Sequence, residues 1–190
     1  MTKHKQFLTI ILTITTCYTF GQNSVDTAAS KNCKIEIYLV QNAQFDTTKQ
    51  CRYCFWPTVD GLADTAFIKD SEIIGYDTTN GQHSLILSKD CLIKLQDITK
   101  TSQTFIRTAF ALAINGQPIY GGWFLNVYVS NFHACDWIYV FTPFDRDGKG
   151  KLNIELRYPR HQAPSKYEED PRNNKLIMEC LKISKRLKTN

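Results

Sequence analysis

The stretch from Phe105 to Phe124, FIRTAFALAINGQPIYGGWF, decides the fold around which the rest of the chain is built. Its first half is largely apolar and contains many residues that favour strands. Asn115-Gly116 then supplies the dipeptide that best tolerates the positive φ angles of a tight two-residue turn. The chain leads back out through residues 118–120, and Gly121-Gly122 allows a close backbone approach before the last two aromatic residues. The stretch therefore predicts the central hairpin of a small sheet.

Elements on both sides of this hairpin give an α+β pattern. In chain order they are strands over residues 33–40, 67–76 and 83–87, a helix over residues 89–98, the hairpin, strands over residues 138–144 and 152–158, and a final helix. Ser88 is a capping residue for the first helix, and Asp170-Pro171 fits the start of the last one. We expect one α+β domain over residues 33–190, in which two helices pack on a small, mostly antiparallel sheet.

The order of elements after Ser71 resembles a known family. A strand at residues 73–77, a strand at residues 83–87, a short helix, and then a hairpin at residues 110–124 are similar to the periplasmic head subdomain of the SecD protein-export subunit, and to small exported bacterial domains of that pattern. The resemblance covers about residues 67–130. It implies a compact α+β fold that serves as a platform for a ligand or partner outside the membrane. It supplies no catalytic residues to carry over.

The first 21 residues have the layout of a signal peptide. Lys3 and Lys5 precede a mostly apolar run from Phe7 to Thr16, and small and polar residues then lead to a cleavage position after Gly21. We expect residues 22–32, which are polar and small, to be a flexible lead-in. The apolar run is too short to span a membrane comfortably, and no other stretch reaches the required length. The chain is therefore predicted to be exported to the periplasm or beyond and not to span the membrane.

A lipoprotein anchor is the less favoured alternative for this segment. Cys17 would be the residue that carries the lipid, but bacterial lipobox cysteines usually follow Gly, Ala or Ser, and Thr16 precedes it here.

Bulk composition limits the class of partner. The 190 residues include 43% hydrophobic and 12% aromatic residues, which is enough apolar material for one well-packed domain. The formal net charge of +5 includes Lys3 and Lys5, which belong to the segment expected to be removed. The remaining basic residues are scattered and form no basic stripe with aromatic platforms, so we expect no nucleic-acid partner.

The cysteines indicate disulfides. Apart from Cys17, they are Cys33, Cys51, Cys54, Cys91, Cys135 and Cys180. An even number in an exported chain favours disulfide bonds, although the sequence does not set their pairing. Cys91 and Cys180 each lie on the apolar stripe of a predicted helix, so either they are buried thiols or they join the two helices.

Cys51-Arg-Tyr-Cys54 also allows two chemical alternatives. The first is a thiol-redox site, which needs one stabilised thiolate, commonly at a helix N-terminus. The second is a zinc-stabilised module whose ligands are Cys51, Cys54, His133 and Cys135. Structural disulfides are favoured over both, because Pro57 follows closely, no helix pattern begins there, and no second Cys-x-x-Cys occurs.

Aromatic residues crowd the chain after the Asn-Gly turn. The candidate binding residues are Tyr120, Trp123, Phe124, Tyr128, Phe132 and Trp137. The alternative is that they pack in the core of the hairpin, whereas contiguous exposed aromatics would mark an interaction site. No nucleophile lies beside a base in a known pattern, so an enzyme is not favoured. The resulting hypothesis is an exported, non-enzymatic domain without a cofactor that binds a protein or a cell-envelope component.

Overall fold

The computed structural model describes residues 33–43, 53–101, 107–126, 135–142, 144, 150–158 and 170–189. These residues form two helices and two β-sheets. The strands are β1 Ile35–Leu39, β2 Ile73–Asp77, β3 Ser84–Leu87, β4 Arg107–Ile114, β5 Gln117–Asn126, β6 Cys135–Thr142, β7 Lys151–Asn153, β8 Glu155–Tyr158 and β9 Leu187–Lys188. The helices are α1 Lys89–Thr101 and α2 Lys175–Ile183. The predicted α+β class and its two helices are confirmed, whereas the expected signal peptide and lead-in lie outside the described residues.

The predicted hairpin is confirmed at the centre of the larger sheet, whose strand order is β1-β4-β5-β6-β8. Asn115 and Gly116 have φ angles of 51° and 76°, and the turn that they form joins the antiparallel strands β4 and β5. Gly122 lies opposite Phe110, and a Cβ at this glycine would be 2.5 Å from the end of the Phe110 ring. The ring therefore packs directly on the backbone of β5. Strands β5 and β6 are parallel, and the other pairs in this sheet are antiparallel.

The smaller sheet is an addition to the single sheet that the sequence predicts. Its strand order is β7-β3-β2-β9. The predicted strand at residues 152–158 is split at Ile154, because β7 pairs with β3 and β8 pairs with β6 of the larger sheet. Ile154 is buried, and its amide donates a hydrogen bond to the carbonyl oxygen of His83 over 2.7 Å. One residue thus carries the chain from one sheet into the other.

Aromatic rings form the middle of the core. Phe110 and Phe124 stack with ring centroids 4.6 Å apart. Phe67 and Phe144 contact the same Phe124 ring, with centroid distances of 5.6 Å and 5.3 Å. Such offset and edge-to-face contacts add to the free energy gained by burying the rings.

Helix α1 begins where the sequence predicts. The hydroxyl oxygen of Ser88 accepts a hydrogen bond from the amide of Cys91 over 3.2 Å, as an N-terminal cap should. Cys91 and Leu95 of this helix are buried in the core.

The final helix differs from its predicted form. Asp170 caps a short 3-10 turn, Pro171–Asn173, and α2 begins only after Asn174, whose side chain accepts a hydrogen bond from Leu176 N over 2.9 Å. The helical spacing of the apolar residues continues to Leu187 and favours a longer helix. The helix ends at Ile183 instead, and Leu187–Lys188 pairs in parallel with β2 as strand β9.

Two links tie this C-terminal segment to the start of the domain. Cys33, just before β1, forms a disulfide with Cys180 of α2, with Cα atoms 5.6 Å apart. Arg186 donates to Asp70 Oδ1 over 2.7 Å, and the same carboxylate oxygen accepts a hydrogen bond from Ile35 N over 2.7 Å. Beginning and end of the described chain are therefore joined both covalently and through Asp70.

Candidate functional site

The described part of the predicted aromatic contact face is buried. Tyr120, Trp123, Phe124 and Trp137 are 0–4% exposed and belong to the core. The physical reason is that other segments cover both faces of β5: Phe55 packs on Trp123, and Phe67 and Phe144 pack on its neighbour Phe124. The interpretation of these four residues as an exposed face is corrected accordingly. Tyr128 and Phe132 lie outside the described residues.

The segment around residues 53–59 covers one face of these strands. The indole nitrogen of Trp123 donates a hydrogen bond to the carbonyl oxygen of Tyr53 over 2.7 Å. Phe55 is buried, and its ring centroid lies 5.1 Å from that of Trp123. The ring also occupies the space above Gly121, where a Cβ would come within 2.5 Å of Phe55 Cζ. The sequence analysis treated this segment only as an irregular stretch.

Anchoring by Phe55 leaves the next residue on the outside. Trp56 is 50% exposed, and its ring makes an edge contact with buried Trp137, with centroids 5.3 Å apart. Arg107, which is exposed, places its guanidinium carbon 4.4 Å from the centre of the Tyr53 ring. Val59 is also exposed. We call the side chains of Tyr53, Trp56, Val59 and Arg107 the Trp56 surface.

Tyr53 is held in an unusual backbone conformation at this surface. Its φ angle is 69°, in the left-handed region that bulky residues rarely adopt and that costs on the order of 1–3 kcal/mol. The hydrogen bond from Trp123 and the contact with Arg107 hold the residue there. Backbone strain of this kind concentrates at binding and catalytic sites.

The composition of the Trp56 surface suits binding. Trp, Tyr and Arg are the residue types most enriched among the side chains that dominate protein interfaces. Because the Trp56 ring already rests on Trp137, a partner would lose little affinity to ordering it. The sequence gives no signal for Trp56. Its segment shows neither helical nor strand periodicity, so nothing in the pattern indicates that Phe55 is buried and Trp56 exposed.

The cysteines divide into disulfide-bonded residues and thiols. Cys33 and Cys180 are paired with each other, and Cys54 is also disulfide-bonded. Cys91 and Cys135 are buried thiols outside any disulfide, which corrects both as disulfide candidates and agrees with the buried-thiol alternative for Cys91. Cys51 lies outside the described residues.

The zinc alternative loses support from this arrangement. Cys54 takes part in a disulfide and therefore offers no thiolate to a metal, and the thiol of Cys135 donates to the carbonyl oxygen of Trp137. Among the residues that the structure describes, no group of three or more His, Cys, Asp or Glu side chains is placed to hold a metal ion. His133 lies outside them.

A buried cluster between the two sheets holds several side chains with shifted pKa values. The hydroxyl of Tyr76 and Nδ1 of His83 are 3.0 Å apart, and Nε2 of the same histidine is 3.9 Å from Asp170 Oδ2. Asp170 in turn accepts two short hydrogen bonds from Arg172, of 2.6 Å and 2.9 Å. The neutral tautomer with its hydrogen on Nε2 fits both neighbours of the imidazole.

The charge states in this cluster follow from burial. Burial lowers the pKa of His83, and the nearby charge of Arg172 lowers it further. Burial also raises the pKa values of Tyr76 and Tyr120. For Asp170, burial acts to raise the pKa, but the hydrogen bonds and charge of Arg172 outweigh it and lower the pKa below its usual value. The cluster therefore contains a neutral histidine beside a paired carboxylate.

This cluster stabilises the fold. Tyr76 and His83 are almost fully buried, and the guanidinium of Arg172 also donates to the carbonyl oxygen of Ile154, at the crossing between the sheets, over 2.9 Å. His83 alternates with Leu85 and Leu87 in the sequence, as residues on one face of a strand do, and all three are buried. The pairing of His83 with Asp170 had no sequence signal, because the two residues are far apart in the chain.

Neither helix in the described part of the chain combines the length and apolar character needed to cross a membrane. Comparisons of the chain with protein-family models, with curated proteins and with solved structures find no match.

Proposed function

We propose that this chain is an exported, non-enzymatic domain that binds a protein or another cell-envelope component through the Trp56 surface. The Cys33–Cys180 disulfide supports export, because such bonds persist in oxidising compartments. The signal-peptide layout of the first residues supports the same compartment. The SecD-head resemblance, with the partner platform that it implies outside the membrane, remains part of this proposal.

The observation that carries the proposal is the half-exposed Trp56 ring on its buried Trp137 support. Tryptophan exposes up to roughly 250 Å², so covering the half that is still accessible removes about 125 Å² of mostly apolar surface. At about 25 cal/mol per Å², that burial is worth about 3 kcal/mol. A contribution of this size is typical of a residue that dominates an interface.

Site-specific photocrosslinking in the producing cells tests the proposal. A photoreactive phenylalanine analogue replaces Trp56 in one variant and Ile93 of α1 in the control, because Ile93 is 47% exposed and matches the 50% of Trp56. We expect a discrete crosslinked product from position 56 that position 93 does not give.

Competition establishes whether that product reflects the Trp56 surface. Excess unlabelled wild-type protein should suppress the crosslink, and excess Trp56→Ala protein should not. Because Trp56→Ala also removes the contact of the ring with Trp137, it should lower the urea midpoint, so both competitors are used under conditions in which each is folded. A product common to both positions, or one that the Trp56→Ala protein suppresses equally well, would count against the proposal.

The thiol-redox alternative at Cys51 and Cys54 has less support. Cys54 is disulfide-bonded and almost completely buried, whereas a redox-active sulfur must meet the thiol of its partner. Treatment of the native protein with a mild dithiol distinguishes a redox site from a structural disulfide. The disulfide of a redox site should be reduced while the protein stays folded.

A further inference from the structure

A second surface with different chemistry lies along α2 and β9. Its apolar part consists of Ile74, Leu176 and Ile183, which are 58%, 49% and 52% exposed. Leu176 and Ile183 are seven residues apart and therefore lie on the same side of α2. We call these residues, together with the neighbouring exposed lysines Lys182, Lys185 and Lys188, the α2 surface.

Pairing of β9 with β2 places Ile74 on the strand beside the C-terminal segment. Tyr76 N donates to Arg186 O over 2.8 Å, and Thr78 N donates to Lys188 O over 3.0 Å. Because the two strands are parallel, Ile74 lies at the level of the turn that follows α2. That turn contains Lys185 in a left-handed conformation, with φ at 56°.

The charge of the α2 surface is uncompensated. Among the described residues, no carboxylate is within ion-pair distance of Lys182, Lys185 or Lys188. The nearby acids already have partners: Glu179 is 3.7 Å from Lys175, and Asp70 is paired with Arg186.

We propose that the α2 surface rests on an anionic lipid bilayer, with Ile74, Leu176 and Ile183 at the headgroup boundary and the three lysines at the lipid charges. Lysines that flank exposed aliphatic side chains on a helix are typical of an interfacial membrane contact. Glu179 is exposed on the same side of α2, between Leu176 and Ile183, but the lysines outnumber it, and the net positive charge opposes a second copy of this chain as the occupant. The surface also lacks the Trp, Tyr and Arg side chains that dominate protein interfaces and that the Trp56 surface has.

Rigidity of the helix favours this mode of binding. Ile177, Cys180 and Leu181 are buried on the other side of α2, and Cys180 is bonded to Cys33. Helix α2 is therefore already formed before contact, so binding does not have to fold it. This proposal is independent of the proposed function, because it uses none of the residues of the Trp56 surface.

Sedimentation with lipid vesicles tests it, using protein purified from its producing cells with disulfides intact. We expect binding to phosphatidylcholine vesicles that contain roughly a third phosphatidylglycerol, weak or no binding to phosphatidylcholine alone, and loss of binding as salt screens the charges. Lys182→Gln should lower the partition coefficient roughly fivefold, the share expected of one lysine at an anionic surface. Ile183→Ser should lower it by roughly tenfold.

Matched controls remove the same charge or apolar group elsewhere. Lys89→Gln changes the net charge as Lys182→Gln does, and Ile93→Ser replaces an isoleucine that is exposed to nearly the same extent as Ile183. We expect both controls to bind as the wild type does, and all four variants to keep the wild-type urea midpoint.

Three results would overturn the proposal. The first is the absence of binding to the anionic vesicles even at low salt. The second is an equal loss of binding in the α2-surface variants and their controls. The third is binding to native membranes that protease treatment of those membranes abolishes, without binding to pure lipid, since this would assign the α2 surface to a protein partner.

Discussion

Gly121→Ala and Phe55→Ala should compensate each other, because the added methyl group and the phenyl ring claim the same space. An ideal Cβ at Gly121 would lie 2.5 Å from Cζ and 2.6 Å from Cε2 of Phe55. The ring has little freedom to retreat, since it also contacts Trp123. We expect Gly121→Ala to lower the free energy of unfolding by about 1–3 kcal/mol, the usual cost of overpacking a core.

The same substitution should become harmless once the ring is gone. Phe55→Ala alone should cost about 3–5 kcal/mol, because it leaves a cavity above the sheet. Gly121→Ala in that background fills part of the cavity and replaces a strand glycine by alanine, which is worth about 0.5–1 kcal/mol. The double-mutant cycle should therefore give a favourable coupling free energy of about 2–3 kcal/mol.

Urea unfolding followed by tryptophan fluorescence, with disulfides intact, measures each variant. Gly122→Ala is the matched control, since its Cβ would meet the rings and methyl groups of Phe110 and Ile138 and not Phe55. Its cost should be the same with and without Phe55→Ala. If Phe55→Ala does not fold, Phe55→Val serves in the cycle. Equal costs of Gly121→Ala in both backgrounds would refute the packing of Phe55 over Gly121, and with it the anchoring of the Trp56 surface.

Three further predictions concern titration and the cysteines. Because the pKa of His83 is lowered from its ordinary 6.5, the unfolded chain binds more protons at this residue than the folded chain does. The free energy of unfolding should therefore fall as pH drops through about 6.5. His83→Asn should flatten that dependence on pH in urea titrations between about pH 7 and pH 5. A slope unchanged by the substitution would contradict a buried neutral imidazole. Replacing both Cys33 and Cys180 by alanine opens a loop with a sequence separation of 147 and should cost up to about 5 kcal/mol in the same unfolding assay; a loss below about 1 kcal/mol would contradict the constraint. Burial, followed by the charge of Glu72, raises the pKa of the Cys91 thiol to about 11, so a thiol reagent at neutral pH should label it only after unfolding, and rapid native labelling would contradict its burial.

Local signals in the sequence were sufficient for the elements that depend on neighbouring residues. The turn at Asn115-Gly116 has the positive φ angles that its residue types favour. Helix α1 starts at the cap that Ser88 provides, and its buried positions Cys91 and Leu95 follow the predicted stripe. In each case the energy that selects the conformation comes from within a few residues.

Features that depend on distant partners could not be predicted in this way. Leu187 and Lys188 continue the helical pattern of α2, yet their place in the fold is decided by Tyr76 and Asp77, with which they pair. The split at Ile154 likewise depends on two sheets that compete for one strand. No local pattern specifies such pairings.

Exposure was the hardest property to predict, because it depends on what covers a surface. Trp123 and Trp137 lie on strands whose sequence does not indicate whether another segment packs on them. Phe55 packs on Trp123, and Trp56 packs on Trp137. The exposed aromatic side chain is therefore in this covering segment and not on the strands beneath it. The four described aromatic residues of the predicted contact face are therefore buried, and Trp56, which the prediction did not include, is half exposed.

Different contacts hold the α2 surface and the Trp56 surface in place, so one surface can be perturbed without the other. The α2 surface is held by the C-terminal segment, which is linked to the rest of the fold by Arg172, Cys180 and Arg186 and along β9. The Trp56 surface depends on packing against the larger sheet. Loss of the Cys33–Cys180 bond removes one fastening of α2 but none of the contacts among Phe55, Gly121 and Trp123. A change of redox conditions confined to that bond would thus act on the α2 surface first and leave the Trp56 surface in place.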